Sequence, residues 1–112
     1  MKRVVVTGMG IWSCIGQDLQ TVTESLKQGR SGIIFDPSRI EYGIQSGLVA
    51  NVPKPDLKPL LLRMFRATMS EDTEYAYMAA RQAFEQAKIS DDYLRKNEVG
   101  IIFGNDGNCV AQ

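Results

Sequence analysis

The chain has 112 residues, 44% of them apolar and 23% charged, enough for one modest hydrophobic core. Thirteen basic residues balance thirteen acidic ones, which argues against nucleic acid or an anionic membrane surface as a partner. The chain contains no histidine, which removes Ser/His and Cys/His nucleophile pairs and the usual zinc ligand sets. We therefore expect no metal site and no cofactor.

The two cysteines, Cys14 and Cys109, are too few for a disulfide scaffold, and no charged-then-apolar leader precedes the first apolar run. No apolar stretch approaches the roughly 20 residues that a membrane helix needs. These features predict a cytoplasmic protein that does not enter a membrane.

The first predicted element is a strand over residues 2–7, a β-branched run closed by Gly8. Continuous apolar character of this kind is typical of a central strand buried on both faces in a parallel sheet. A helix follows, capped by Asp18, with Leu19, Val22 and Leu26 on one face. Gly29 is placed where a left-handed carboxyl-terminal cap belongs.

The prolines are concentrated in the middle of the chain. The segment 53–59 contains three of the four prolines and is predicted to be a connector, because proline lacks a backbone donor and breaks helices. A short strand is expected just before it, over residues 47–52.

The last third is predicted to be mainly helical. Ser70 and the acidic residues after it indicate the start of a helix that ends near Lys88, and Ser90 starts a shorter one. The longer helix has a face of small residues that allows another backbone to approach closely, namely Ala76, Ala79, Ala80, Ala83 and Ala87. Residues 98–104 repeat the strand-then-glycine pattern of the start. Predicted strands therefore alternate with helices, which indicates an α/β protein.

The glycines after the first strand allow a nucleotide-binding interpretation. Gly8, Gly10 and Ser13 approximate the dinucleotide fingerprint, and Asp36 ends a second apolar run where a ribose-binding acid could lie. In that fingerprint a helix begins at the second glycine, whereas the cap here comes only at Asp18. The simpler alternative is that these glycines let the loop turn tightly between packed layers.

Four motifs in one order carry a resemblance to a known family. They are VVVTGMGIWSCIG at residues 4–16, GRSGI at 29–33, Met69-Ser70 opening the alanine-rich helix, and VGIIFG at 99–104. Together they resemble the β-ketoacyl carrier-protein synthases, with details nearer the bacterial type I enzyme. The resemblance implies a thiolase-like layered α/β fold, of which residues 1–112 form the amino-terminal segment with no separate second domain.

The resemblance also implies an activity, the decarboxylative Claisen condensation of an acyl thioester with malonyl-carrier protein in fatty-acid synthesis. Family members are homodimers that work with acyl carrier protein. Their cysteine nucleophile, two histidines and lysine lie beyond the length of this chain, so it is expected to hold no catalytic residue and to be inactive alone. Cys14 and Cys109 are interpreted as non-catalytic.

Three residues are candidate contacts. Gly107 aligns with a bulky aliphatic residue of the acyl channel in the type II enzyme, so it is a candidate substrate contact; a tight turn is the equal alternative. Arg63 and Arg66, at i and i+3, are near positions that family members present to the acidic carrier protein, and solvated side chains are the alternative. Two other functions stay open: a non-catalytic subunit that determines chain length, and a small dinucleotide-binding domain.

Overall fold

The computed structural model describes residues 3–105. These residues form five helices and two strands: α1 (Leu19–Lys27), β1 (Ile33–Phe35), α2 (Pro37–Glu41), β2 (Leu48–Ala50), α3 (Arg63–Arg66), α4 (Glu71–Ala87) and α5 (Asp91–Lys96). The chain divides into two compact units, one of Met1–Gly10 with Lys54–Gln112 and the other of Ile11–Pro53.

Helix α4 dominates the first unit. The Ser70 side chain accepts a hydrogen bond from the Thr73 amide and caps the amino terminus, where three acidic residues also favour the helix dipole. At the other end Lys88 adopts a left-handed conformation with φ of 55° and closes the helix. Ser90 caps α5 in the same way as Ser70 caps α4. The sequence-based predictions for both helices are confirmed.

Helix α1 belongs to the second unit. Its cap is Asp18, whose Oδ1 accepts a hydrogen bond of 2.7 Å from the Thr21 amide. The helix ends at Lys27 with Gln28 as its carboxyl-terminal cap, and Gly29 follows in the left-handed region with φ of +63°. The predicted start and end of this helix are therefore confirmed.

The second unit also contains a two-stranded antiparallel sheet. Ile33 pairs with Ala50, Ile34 with Val49 and Phe35 with Leu48. The strand predicted at residues 47–52 is confirmed, and its partner is the apolar run at 33–35. Between them Asp36 caps the short helix α2 by accepting a hydrogen bond from the Ser38 amide.

Two predicted strands are wrong. Within the described part, residues 3–7 and 98–104 form no strand. A strand requires a neighbour to satisfy its backbone groups, and nothing between residues 3 and 105 pairs with either run. The described residues thus form helices and one small antiparallel sheet. They do not show the predicted layers around a parallel sheet.

Few apolar side chains are buried. Among the described residues the buried hydrophobic side chains are Leu57 in the first unit and Val22 in the second, while both apolar runs that were predicted to be strands are exposed. No residue of α4 is fully buried, although its alanine face is partly covered. None of the described helices is long and apolar enough to cross a membrane.

Candidate functional site

The glycines of the amino-terminal motif lie directly against α4. A Cβ atom on Gly8 would overlap the Ala83 carbonyl oxygen and come within 3.0 Å of the Ala87 Cβ. One on Gly10 would overlap the Ala79 carbonyl oxygen. The segment therefore runs antiparallel to α4, and its close approach needs glycine on one side and alanine on the other.

A hydrogen bond fixes the register of this contact. The Met9 amide, between the two glycines, donates to Oε1 of Gln86 on α4 at 2.6 Å. A phosphate group bound by this loop would need free amides at the same place. Here the amide is already engaged by the helix.

The following loop closes on itself. Ser13 and Gly16 exchange backbone hydrogen bonds of 2.9 and 3.3 Å, and the Ser13 hydroxyl also donates to the Gly16 carbonyl oxygen. Trp12 anchors the loop through a 2.7 Å hydrogen bond from Nε1 to the Pro53 carbonyl oxygen. These bonds hold the loop that leads into α1.

Ser25 ties α1 to that loop. Its side chain is only 3% exposed and its hydroxyl donates to the Ile15 carbonyl oxygen at 2.7 Å. The hydroxyl group of a buried serine needs such a partner. Ser25 lies three residues after buried Val22, so it occupies the inner face of α1 beside an apolar residue.

Cys14 borders a small open cavity of about 260 Å³ in the same unit, which is also lined by Thr21, Arg30 and Ser31. Its thiol packs so tightly on the backbone that a Cβ on Gly32 would lie 2.6 Å from Sγ. The chain has no histidine to activate a thiol. Cys14 is therefore a packed side chain beside the cavity, and no base is present there to make its thiol a nucleophile.

The predicted pair Arg63 and Arg66 falls on the one-turn helix α3, which brings both side chains to the same side of the turn. Nε of Arg66 donates to the Leu61 carbonyl oxygen at 3.1 Å, whereas Arg63 has no ion-pair partner among residues 3–105. Met64 and Phe65 between them are more than half exposed. The turn thus presents positive charge beside apolar surface.

The charge of Lys54 is balanced by acidic side chains of α4. Nζ of Lys54 lies 3.9 Å from Glu71 and 3.6 Å from Glu74, both on α4. Burial, followed by the charge of Glu71, raises the pKa of Tyr75 on the same helix. Among the described residues no group of cysteine and acidic side chains could hold a metal ion. This cluster secures the connector to α4 and contains no candidate metal ligand set.

Comparison with known families decides the identity. Residues 1–111 match the family model described as "Beta-ketoacyl synthase, N-terminal domain". The chain belongs to the β-ketoacyl synthase family. The resemblance carried by the four motifs is therefore confirmed.

Named synthases support the assignment. The chain is 40% identical over 108 residues to the 3-oxoacyl-acyl-carrier-protein synthase 1 of Escherichia coli, covering 96% of this chain and 26% of the relative. It is 33% identical to synthase 1 of Haemophilus influenzae, covering 93% and 25%, and 34% identical to synthase 2 of Synechocystis, covering 92% and 25%. The chain thus spans about a quarter of the length of the relatives it matches.

Within this β-ketoacyl synthase segment the dinucleotide interpretation is wrong. The glycines face α4 rather than a ligand, α1 begins only at Leu19, and Asp36 serves as the cap of α2. The simpler interpretation, that glycine permits close packing, explains Gly8 and Gly10. Sequence periodicity indicated the alanine face that receives them.

The remaining site predictions have different outcomes. Gly107 and Cys109 lie outside the described residues, and the roles of Arg63, Arg66 and Gly107 stay predictions. The sequence analysis missed Ser25 and Gln86, and it included Gly32 in a motif without predicting its contact with Cys14. Only Ser25 had a usable signal, since a polar residue on an apolar helix face indicates a buried hydrogen bond.

Proposed function

We propose that this chain is the amino-terminal part of a 3-oxoacyl-acyl-carrier-protein synthase of fatty-acid biosynthesis. The complete protein would join an acyl thioester to malonyl-carrier protein. Loss of carbon dioxide from the malonyl group supplies the carbon nucleophile, which attacks the acyl carbonyl carbon and releases the thiolate. The observation that carries the proposal is the match to the synthase family over residues 1–111.

In this proposal the chain contributes scaffold and recognition rather than catalytic groups. It has no histidine, and Cys14 is packed against Gly32 without a base beside it. The glycine motif docked on α4 would hold one wall of the enzyme in place. The 112 residues alone are expected to be inactive.

The partner-binding part of the proposal rests on α3. Arg63 is exposed, Arg66 is partly covered, and exposed Met64 and Phe65 lie between them. A surface of this kind suits an acidic protein, with the cations steering the encounter and the apolar side chains adding buried area. We assign acyl carrier protein as that partner, delivering acyl and malonyl thioesters.

The test is a hybrid synthase, in which this chain replaces the segment it matches in the Escherichia coli synthase 1. The assay measures the condensation of an acyl thioester with malonyl-carrier protein through the product formed and the carbon dioxide released. The hybrid synthase is expected to be active and the 112-residue chain inactive. A folded hybrid synthase that binds both substrates yet releases no carbon dioxide would contradict the proposal.

The complete protein is further proposed to act as a cytoplasmic homodimer, as the family resemblance implies. Cys14 is a free thiol, which is compatible with a reducing compartment. Light scattering of the hybrid synthase measures its mass directly. A monomeric but fully active hybrid synthase would remove the dimer from the proposal.

A further inference from the structure

Helix α3 is a single turn that its own sequence does little to stabilise. It has four residues, its amino-terminal cap Leu62 makes no side-chain hydrogen bond, and none of its residues is buried. Helices this short are unstable by themselves, because forming the first turn costs more conformational entropy than its few hydrogen bonds return. Leu62 and Met64 are 67% and 68% exposed, so apolar packing does not fix the turn either. Its orientation therefore depends on contacts with the chain outside the turn.

A series of hydrogen bonds connects α3 to a buried residue of the preceding connector. That residue is Leu57, which is 3% exposed and whose carbonyl oxygen accepts a 2.9 Å hydrogen bond from the Leu61 amide. The Leu61 carbonyl oxygen in turn accepts the 3.1 Å hydrogen bond from Nε of Arg66. The Arg66 side chain thus reaches back along α3 to the residue just before the cap. It ties the end of the turn to the part of the connector that Leu57 anchors.

The two arginines of α3 consequently have different surroundings. Arg66 is partly covered, and its Nε–H group is engaged by a backbone carbonyl group of its own chain. Arg63 is exposed and has no ion-pair partner in the part of the chain that the structure describes. An exposed cation without an ion pair is accessible to a carboxylate or phosphate group of a partner. A guanidinium group that donates to the backbone stabilises local structure instead.

We infer that Arg63 contacts the anionic groups of acyl carrier protein, whereas Arg66 is a positioning residue that holds α3 in the orientation that presents Arg63. This inference rests on the proposed function and deepens it by giving the two cations different roles. The bond from Arg66 to Leu61 fixes the turn before the partner arrives, so less conformational freedom is lost when the complex forms. Met64 and Phe65 are presented by the same turn and depend on the same bond.

Substitutions of similar length separate the hydrogen-bond donor of arginine from its charge. Glutamine places an N–H group at the same point along the side chain as Nε of arginine and carries no charge. Methionine has the same length with neither donor nor charge. Lysine keeps the charge and moves the donor one atom further out. Arg66→Gln and Arg66→Met are therefore equally uncharged and differ in the donor to the Leu61 carbonyl oxygen.

Titration of the hybrid synthase with acyl carrier protein measures the effect on binding. Arg66→Met is expected to weaken binding by roughly threefold to tenfold, because the hydrogen bond is lost, whereas Arg66→Gln should stay within about twofold of the unsubstituted protein. At Arg63 the charge decides the result, so Arg63→Lys should bind more tightly than Arg63→Gln, and the difference should shrink at high salt. Arg95→Gln and Arg95→Met on α5 are the matched control pair and should bind equally. Equal affinities of Arg66→Gln and Arg66→Met would overturn the inference.

Hydrogen exchange tests the positioning role in the absence of the carrier. The amides of residues 65–67 donate to carbonyl oxygens at the start of α3, and their exchange is compared in the same variants of the hybrid synthase. Arg66→Met should speed exchange by roughly threefold or more, because the turn opens more often, and Arg66→Gln should have little effect. Equal exchange in the two variants would overturn the inference even if carrier binding depends on Arg63.

The two measurements distinguish the inference from the proposed function. Faster exchange in Arg66→Met than in Arg66→Gln, in a hybrid synthase that binds no carrier protein, would support the positioning of α3 and contradict the proposed partner. Carrier binding that depends on Arg63, with no difference between Arg66→Gln and Arg66→Met in either measurement, would support the proposed partner and contradict the positioning role.

Discussion

Gly10 lies so close to Ala79 on α4 that one methyl group on the glycine would overlap the alanine carbonyl oxygen. The contact joins the amino-terminal motif to a helix that begins sixty residues later in the chain. It also explains why glycine occurs there, since the neighbour is rigid helical backbone that cannot move aside cheaply.

Substitution of either motif glycine should therefore destabilise the protein. Gly8→Ala and Gly10→Ala are each expected to lower the free energy of unfolding by about 1–3 kcal/mol through overpacking against α4. Gly100→Ala is the matched control, because a Cβ at Gly100 meets nothing within 4 Å, and its effect should stay within about 0.5 kcal/mol. Urea denaturation of the three variants measures the differences, and equal midpoints would refute the packing role.

Ser25 provides a second stability prediction. Ser25→Ala removes the donor of a part-buried hydrogen bond and leaves the Ile15 carbonyl oxygen without that partner, which costs about 1–3 kcal/mol. Thr23→Ala, on the exposed side of α1, loses only a bond to the Leu19 carbonyl oxygen of its own helix and should be almost neutral. Thermal unfolding of both variants measures the two losses of stability. A larger loss for Thr23→Ala than for Ser25→Ala would contradict the proposed role of the hydrogen bond from Ser25 to Ile15.

The capping carboxylate of α1 should make stability depend on acid pH. The hydrogen bond from the Thr21 amide to Asp18, followed by that from the Thr21 hydroxyl, holds the pKa of Asp18 below its ordinary value of 3.8. The folded state therefore gains stability from this group above pH 3.8, and the gain disappears as pH falls through the lower pKa of the folded protein.

Asp18→Asn is the variant that tests this dependence. Asparagine caps helices about as well as aspartate and does not titrate in this range. The free energy of unfolding of the variant should therefore vary less below pH 4 than that of the original chain. Asp36, whose pKa is lowered first by the Ser38 hydroxyl, should account for part of the remaining variation. Identical pH profiles for the two proteins would contradict the assignment.

The carrier-protein surface is tested by charge reversal on α3. Arg63→Glu and Arg66→Glu together in the hybrid synthase should weaken binding to acyl carrier protein by roughly tenfold or more at low salt, with a smaller difference at high salt. Arg63→Glu alone is the variant that leaves the Arg66 bond to Leu61 intact. Arg95→Glu on α5 is the charge-matched control. Unchanged affinity in the double variant would remove this surface from the proposal.

The acyl-channel hypothesis for Gly107 has its own test. Gly107→Met in the hybrid synthase should selectively lower kcat/KM for longer acyl substrates, because the added side chain would occupy part of the channel. Short acyl substrates should react as before, and Gly107→Ala should have an intermediate effect. Equal loss for every chain length would indicate that Gly107 only permits a turn.

Local signals in the sequence by themselves determined the helices α1, α4 and α5 and the family, whereas the short helix α2 was not predicted. Caps at Asp18, Ser70 and Ser90 and the left-handed position of Gly29 depend on neighbours a few residues away, so the helix boundaries could be predicted. The order of four motifs was enough for the β-ketoacyl synthase family. The alanine face of α4 could also be predicted from its helical spacing, but the glycines that pack against it could not.

Only the tertiary structure decided what the glycines contact and which apolar runs form strands. The partners of Gly8 and Gly10 lie about seventy residues away, and the Ser25 bond spans ten. Residues 33–35 form a strand because Leu48–Ala50 pairs with them, whereas the similar run at 4–6 has no partner among residues 3–105. Strand propensity is local, but the hydrogen bonds that make a strand come from elsewhere in the chain.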